Sequence, residues 1–196
     1  NTYATGDVDG SMEVGGLIGK SEAADLGIDI SSAQVIDTYA TGKVNGSSQV
    51  GGLIGNNDAA PGLPSYESDV INSHAVGEVT GNNEIGGLIG KNDGKVTNSY
   101  ATGNINGTLQ VGGLVGTNAY GGTYGGRGVI KQTNAAGNVT ASNGVGGLVG
   151  RNVGFITNSN ANGSVAADIT DGSNAGGLVG TNFKINNISP PTGIIT

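Results

Sequence analysis

His74 is the single histidine of the chain, and cysteine and tryptophan are absent. Nucleophilic or acid–base chemistry built on that imidazole needs a hydroxyl or carboxylate at fixed spacing from it, and none stands there. His74 instead falls in a column that recurs as Tyr3, Tyr39, His74, Tyr100, Asn134 and Asn160, which reads as an outward surface position of a repeat. Carboxylates gather loosely in two stretches, Glu22, Asp25 and Asp29, then Asp58, Glu67 and Asp69. Such oxygens could meet around Ca²⁺, which takes roughly six to eight of them. No EF-hand loop or Gly-Gly-x-Gly-x-Asp run accompanies them, so they read as solvated loops and no metal or other cofactor is expected. One further stretch stands apart: Tyr120, Tyr124 and Arg127 on a Gly-rich segment. Tyr and Arg are favoured in contact surfaces, which makes this a candidate contact loop, the competing reading being a loop that packs its tyrosines back on the rod.

The elements that hold these residues come from a repeat. Gly-Gly pairs open the run Gly-Gly-Leu-Ile/Val-Gly at Gly15, Gly51, Gly86, Gly112, Gly146 and Gly176. A Ser/Thr column (Thr2, Thr38, Ser73, Ser99, Thr133, Ser159) gives spacings of 36, 35, 26, 34 and 26 residues. The basic unit is therefore 26 residues. Repeats one, two and four carry 10, 9 and 8 extra residues at one address, between the Ser21/Asn57 column and the Val35/Val70 column. Repeat six has its own insertion near Ala166 to Ser173. Insertions that share an address map to loops on one face of a stack.

Ala4, Gly6 and Val8, with their five sets of counterparts, alternate with polar residues at period two and predict the inner face of a strand. A second strand carries Val14 and Leu17, both reaching the interior through a bend at Gly-Gly. The last Gly of the motif is expected to turn the chain at positive φ. A short third strand around Val96 leads into the next unit. The Asn57, Asn92, Asn118, Asn152 and Asn182 column predicts an internal amide ladder. The fold class is all-β: a right-handed parallel β-helix (β-solenoid) of six coils of about 26 residues, with loop insertions in coils 1, 2, 4 and 6. Its repeats are 1–37, 38–72, 73–98, 99–132, 133–158 and 159–187 of one solenoid spanning 1–187, with 188–196 as an extended Pro-containing tail or linker. No unit can bury its apolar face alone, so the coils must stack.

Composition excludes several classes. The formal net charge is -7 with eight basic residues spread thinly, which leaves no nucleic-acid footprint. No stretch is apolar over the length a transmembrane helix needs, so no membrane insertion is expected. The chain opens mid-repeat without Met, which reads as a mature form or a fragment.

Tyr-Ala-Thr-Gly at Tyr3, Tyr39 and Tyr100, followed by Gly-Gly-Leu-Ile/Val-Gly, resembles the GLUG repeat of large bacterial surface and secreted proteins, including adhesin-like proteins and IgA-specific metallopeptidases. The resemblance implies an extracellular or cell-surface solenoid with no catalytic residue in the motif, and no His-Glu-x-x-His is present to carry the peptidase activity over. It implies a structural stalk, adhesin segment or self-stacking filament subunit, not an enzyme. The expected partners are further repeats of a longer chain or a second copy stacked end to end, and a host or environmental glycan or protein. One alternative is a carbohydrate-binding or glycan-cleaving β-helix. Another is an ice-binding solenoid, on the column Thr5, Thr41 and Thr102, which Val76, Ala136 and Asn162 interrupt. Asn-x-Ser/Thr sequons at Asn45, Asn106, Asn138, Asn162 and Asn187 read as a product of composition.

Overall fold

A computed structural model describes residues 1–25, 30–59, 68–121, 126–168, 173–185 and 192–196. Its strands form five six-stranded parallel sheets, and each sheet takes one strand from every coil. In coil order, the sheets begin with Thr2–Ala4, Val8–Asp9, Met12–Gly15, Ile18–Glu22 and Gln34–Ile36. The chain is a right-handed β-solenoid of six coils.

Each coil has five strands where the residue pattern suggested three. The Ala and Val columns, assigned above to one strand, belong to the first and second sheets. A strand of two residues, such as Tyr100–Ala101 or Ile105–Asn106, is too short to show an alternation of its own. The glycine between them marks the break: a Cβ on Gly42 would lie 2.0 Å from the Gly6 carbonyl oxygen.

Register is exact in kind along each sheet. Ala4, Ala40, Ala75, Ala101, Ala135 and Ala161 stand in line. Val14, Val50, Ile85, Val111, Val145 and Ala175 do so in the third sheet. These columns fill two apolar lobes. The larger takes the Ala column, the Leu53/Leu88/Leu114/Leu148 column, and the inward aliphatics of the fourth and fifth sheets. The smaller takes the Val and Ile columns of the second and third sheets. Leu53, Ile85, Leu88, Ile105 and Leu114 are fully buried. The Gly-Gly bend thus places Val50 in one lobe and Leu53, three residues later, in the other.

Between the lobes, backbone lies on backbone. A Cβ on Gly55 would sit 2.3 Å from the Glu13 carbonyl carbon of the preceding coil, and one on Gly90 would sit 2.5 Å from its Gln49 counterpart. This close approach, not a positive φ, is the role of the motif's last glycine. The positive-φ glycines among the described residues are Gly144 and Gly193. Left-handed backbone falls instead on two columns of polar residues. One is in the third sheet: Glu13, Gln49, Glu84, Gln110 and Gly144. The other is the corner between the fifth and first sheets: Asp37, Asn72, Asn98, Gln132 and Asn158.

The asparagine column forms the expected ladder. Asn57 Nδ2 donates to Asn92 Oδ1 at 2.8 Å, and the pattern repeats from Asn92 to Asn118, Asn118 to Asn152 and Asn152 to Asn182 at 2.8–2.9 Å. Each Nδ2 also donates to a corner carbonyl, Ser68, Gly94, Gly128, Gly154 or Gly193. Ser21 breaks the amide chain and bonds Ser68 Oγ at 2.9 Å, which leaves Asn57 Oδ1 buried without a partner. A column of hydroxyls lines the next corner: Thr38 donates to Ser73 and Thr133 to Ser159 at 3.1 Å, the Ser73 N–H donates to Ser99 Oγ, and the Ser99 and Ser159 hydroxyls donate to the Thr97 and Thr157 carbonyls.

The insertions leave at the predicted corner, between the fourth and fifth sheets. In coils one and four they are short antiparallel pairs, Ala24–Asp25 with Ile30–Ser31 and Tyr120–Gly121 with Gly126–Arg127. The insertion of coil two lies mostly outside the described residues, as do residues 169–172 of that near Ala166 to Ser173. Residues 192–196 are not a tail: Ile194–Ile195 pairs in parallel with Phe155–Ile156 and closes the sixth coil. That coil therefore carries a further insertion at the shared corner, which its prolines hid.

The glycine columns give a paired prediction. Gly6 has nothing within 4 Å of where a Cβ would be, whereas a Cβ at the equivalent Gly77 would meet the Gly42 oxygen at 1.8 Å. Gly6→Ala should leave stability within about 0.5 kcal/mol of the parent, the usual range for a surface change. Gly77→Ala should cost upwards of about 3 kcal/mol, in the range of severe overpacking. Urea melts of the two variants make the comparison, and equal effects would disprove the backbone contact.

Candidate functional site

The residues singled out for chemistry fall on three parts of the surface. The first is the outer face of the first sheet. Because this sheet pairs in register, identical outward side chains lie one strand spacing apart, close enough for rings to stack. Tyr3, Tyr39, His74 and Tyr100 stack face to face, with centroids 5.0, 5.1 and 4.6 Å apart and ring planes within 8°. The stack ends where the column changes type, and Asn160 Nδ2 donates to Asn134 Oδ1 at 2.8 Å. Packing between Tyr39 and Tyr100 partly desolvates His74 and holds its pKa below the usual 6.5. No carboxylate or serine forms a hydrogen bond to its ring among the described residues, so His74 is an element of a stack, as its column implied.

Beside the stack runs the corner column. Asn1, Asp37, Thr38, Tyr39, Asn72 and His74 line a shallow groove of about 170 Å³ that follows the solenoid axis from the first coil to the third.

The second part is the outer face of the fourth sheet, where some of the loose carboxylates come together with lysines. Lys20 Nζ lies 3.0 Å from Glu22 and 3.4 Å from Asp58, and the Glu22 hydrogen bond leads the interactions that raise its pKa. In the third coil Lys91 pairs with the buried Asp93. Burial raises the Asp93 pKa above 3.8 against the pull of Lys91, and neighbouring Asp58 adds to the rise. Burial lowers Lys91, but Asp93, Asp58 and Glu84 together outweigh it and its pKa is raised. The Asp93 rise is thus chiefly an effect of burial, and the Lys91 rise an effect of the acids around it. Asp69 lies apart on the fifth sheet, in register with Gln34 and Lys95. Asp29 and Glu67 lie outside the described residues, as does the side chain of Asp25. Among the described residues no three Asp, Glu or His side chains are grouped to hold a metal ion. Sequence reading missed Asp93, because nothing in its local pattern marks a buried acid.

The third part is the insertion corner. Tyr120 pairs with Arg127 across the antiparallel turn, and the Arg127 guanidinium lies 5.7 Å from the Phe155 ring centre of the next coil. Arg151 covers Phe183 in the same way at 4.8 Å. Tyr124 lies outside the described residues. The interrupted column of Thr5, Thr41 and Thr102 is exposed, as are sequon residues Asn45, Asn106, Asn138 and Asn162; Asn187 lies outside the described residues.

His74 and Asp93 predict opposite pH effects. His74, depressed below 6.5 when folded, gives stability that is present above that value and lost as pH falls through the folded pKa. Asp93, raised above 3.8, gives stability present at acid pH and lost as pH rises through the folded pKa. Thermal melts from pH 8 to 4 should show His74→Tyr removing part of the loss below pH 6.5, and Asp93→Asn raising stability at neutral pH. Parallel curves for parent and both variants would refute these assignments.

Comparison with curated proteins and with solved structures finds no match. Comparison with family models finds two: residues 46–80 and 81–106 each match the GLUG motif. Each stretch is one complete coil, starting just after a strand of the second sheet and ending with the next strand of that sheet. The matched period and the structural period are the same, and residues 46–106 carry two consecutive GLUG motifs.

Proposed function

We propose that the chain is a non-catalytic, rigid segment of a bacterial extracellular stalk or adhesin, in which a constant stack of coils carries variable outer surfaces. The observation that carries this reading is that each of the five sheets runs unbroken through all six coils, while the longest departures leave at one corner. A stack whose core columns repeat can be extended without redesign, and insertions can change without touching the core. At roughly 4.8 Å per coil, six coils extend about 29 Å.

Further coils are the partner this reading expects, from the same chain or from a second copy. On the first coil, Thr2, Leu17, Ile18, Gln34, Val35 and Ile36 border an apolar cavity of about 470 Å³, which another coil would cover. An unpaired sheet edge over such a cavity favours parallel strand addition. The Lys–carboxylate pairs of the fourth sheet favour structure over glycan cleavage, which needs two acids facing one bond. The interruptions at Val76, Ala136 and Asn162 disfavour an ice-binding threonine face. No helix among the described residues is long and apolar enough to cross a membrane.

Coil duplication tests the stalk reading. A second copy of residues 73–98, an insertion-free coil, should lengthen the particle in small-angle scattering by one strand spacing, about 4.8 Å, at unchanged cross-section. A wider cross-section or a separate folding transition for the added coil would overturn it.

A further inference from the structure

The corner column poses a question the core does not answer. Asp37, Asn72, Asn98, Gln132 and Asn158 all have φ between 50° and 54°, a conformation in which glycine is the easiest residue. The chain holds 40 glycines, yet none stands at these five positions.

The third sheet provides an internal comparison. There the left-handed side chains are used within the protein: Glu13 accepts from Asn56 at 3.0 Å, Gln49 donates to Glu84 at 3.1 Å, and Gln110 accepts from Thr117 at 3.0 Å. The same column admits glycine, at Gly144. Corner residues differ. The exposed side chains of Asp37, Asn72 and Asn98 make no hydrogen bond or ion pair among the described residues, and their backbone N–H groups bond to the next coil. Each keeps a strained backbone and presents a free polar group outward.

Asp37 and Asn72 line one side of the groove and the rings of Tyr39 and His74 the other; Asn98 continues the corner column beyond it, and Tyr3 and Tyr100 continue the stack at either end. An aromatic ring, and beside it an amide or carboxylate, then recurs with each coil along the axis. A polymer that fits must be extended, rich in hydroxyls, and repeat at close to the strand spacing of about 4.8 Å. An extended β-1,4-linked glycan has these properties, advancing by nearly one strand spacing per sugar. Asp37 in the wall and the net charge of -7 select a neutral glycan over an anionic one.

We propose that this groove, together with the ring stack and corner column that continue it, binds a neutral, linear β-1,4-linked glycan parallel to the axis, one sugar per coil over the four coils of the stack. This rests on the adhesive form of the proposed function and names its ligand class. The site ends where Asn134 replaces the rings.

Titration of the 196-residue protein with cellobiose, cellotetraose and cellohexaose, followed by calorimetry and by tyrosine near-ultraviolet circular dichroism, tests it. Affinity should rise at least tenfold from the disaccharide to the tetrasaccharide and then level off. Asp37→Gly/Asn72→Gly should leave the melting temperature unchanged or raised while weakening cellohexaose binding at least tenfold. Asn45→Ala, on the second-sheet face, should bind as the parent does. The proposal is overturned if cellohexaose does not bind, if polygalacturonate binds more tightly, or if the glycine double variant binds normally. In each case the coil-duplication result for the stalk reading stands or falls separately.

Discussion

The solenoid depends on a close approach of backbone to backbone between successive coils. Where Gly55 meets Glu13 and Gly90 meets Gln49 there is no room for a methyl group. At this waist the third and fourth sheets come close enough for two thin apolar lobes to be lined by nothing larger than Leu and Ile. A chain with 4 % aromatic residues and no Trp can fill lobes of that width. It could not fill a single wide one, because interiors must reach crystal-like density with the side chains available. Glycine content, the absence of large side chains and the pinched section are one constraint seen three ways.

That constraint also explains the polar columns. A waist of bare backbone and corners of tight radius leave carbonyls pointing inward, and buried polar groups must be paired. The Asn57-to-Asn182 ladder does so twice per rung, with one hydrogen to the next amide and one to a corner carbonyl. The ladder has a direction, donor toward the sixth coil, so its first acceptor, Asn57 Oδ1, is orphaned where Ser21 replaces an amide. Register is thereby fixed by polar geometry as well as by apolar fit, since a slipped coil would lose both.

Much of this was legible in the residues because stacking repeats a choice six times. The Ala, Leu and Asn columns announced the coil, its interior and its amide ladder before any coordinates. Strand count was not legible: Val8–Asp9 and Tyr100–Ala101 are too short to carry a period. Residues 192–196 looked like a tail because Pro190 and Pro191 precede them, yet Ile194 and Ile195 complete the last coil by position, not by motif. The left-handed residues were hidden for a different reason. Glycine was the expected carrier of positive φ, while Gln49 and Asn72 adopt it because their place in the ladder dictates it. The candidate groove was half visible: the Tyr/His column stood out, but its free polar wall emerged only once the other amide columns were seen to satisfy themselves.

The account claims that coils are stable only through their neighbours, in register. Native-state hydrogen exchange of the backbone amides measures this most directly. Leu53, Leu88, Leu114 and Leu148, whose N–H groups each bond to the next coil at 2.9 Å, should exchange together at the free energy of global unfolding. Amides of the first and sixth coils, each with one neighbour, should open at lower free energy. Uniform protection from the first coil to the sixth, or independent opening of a central coil, would contradict it.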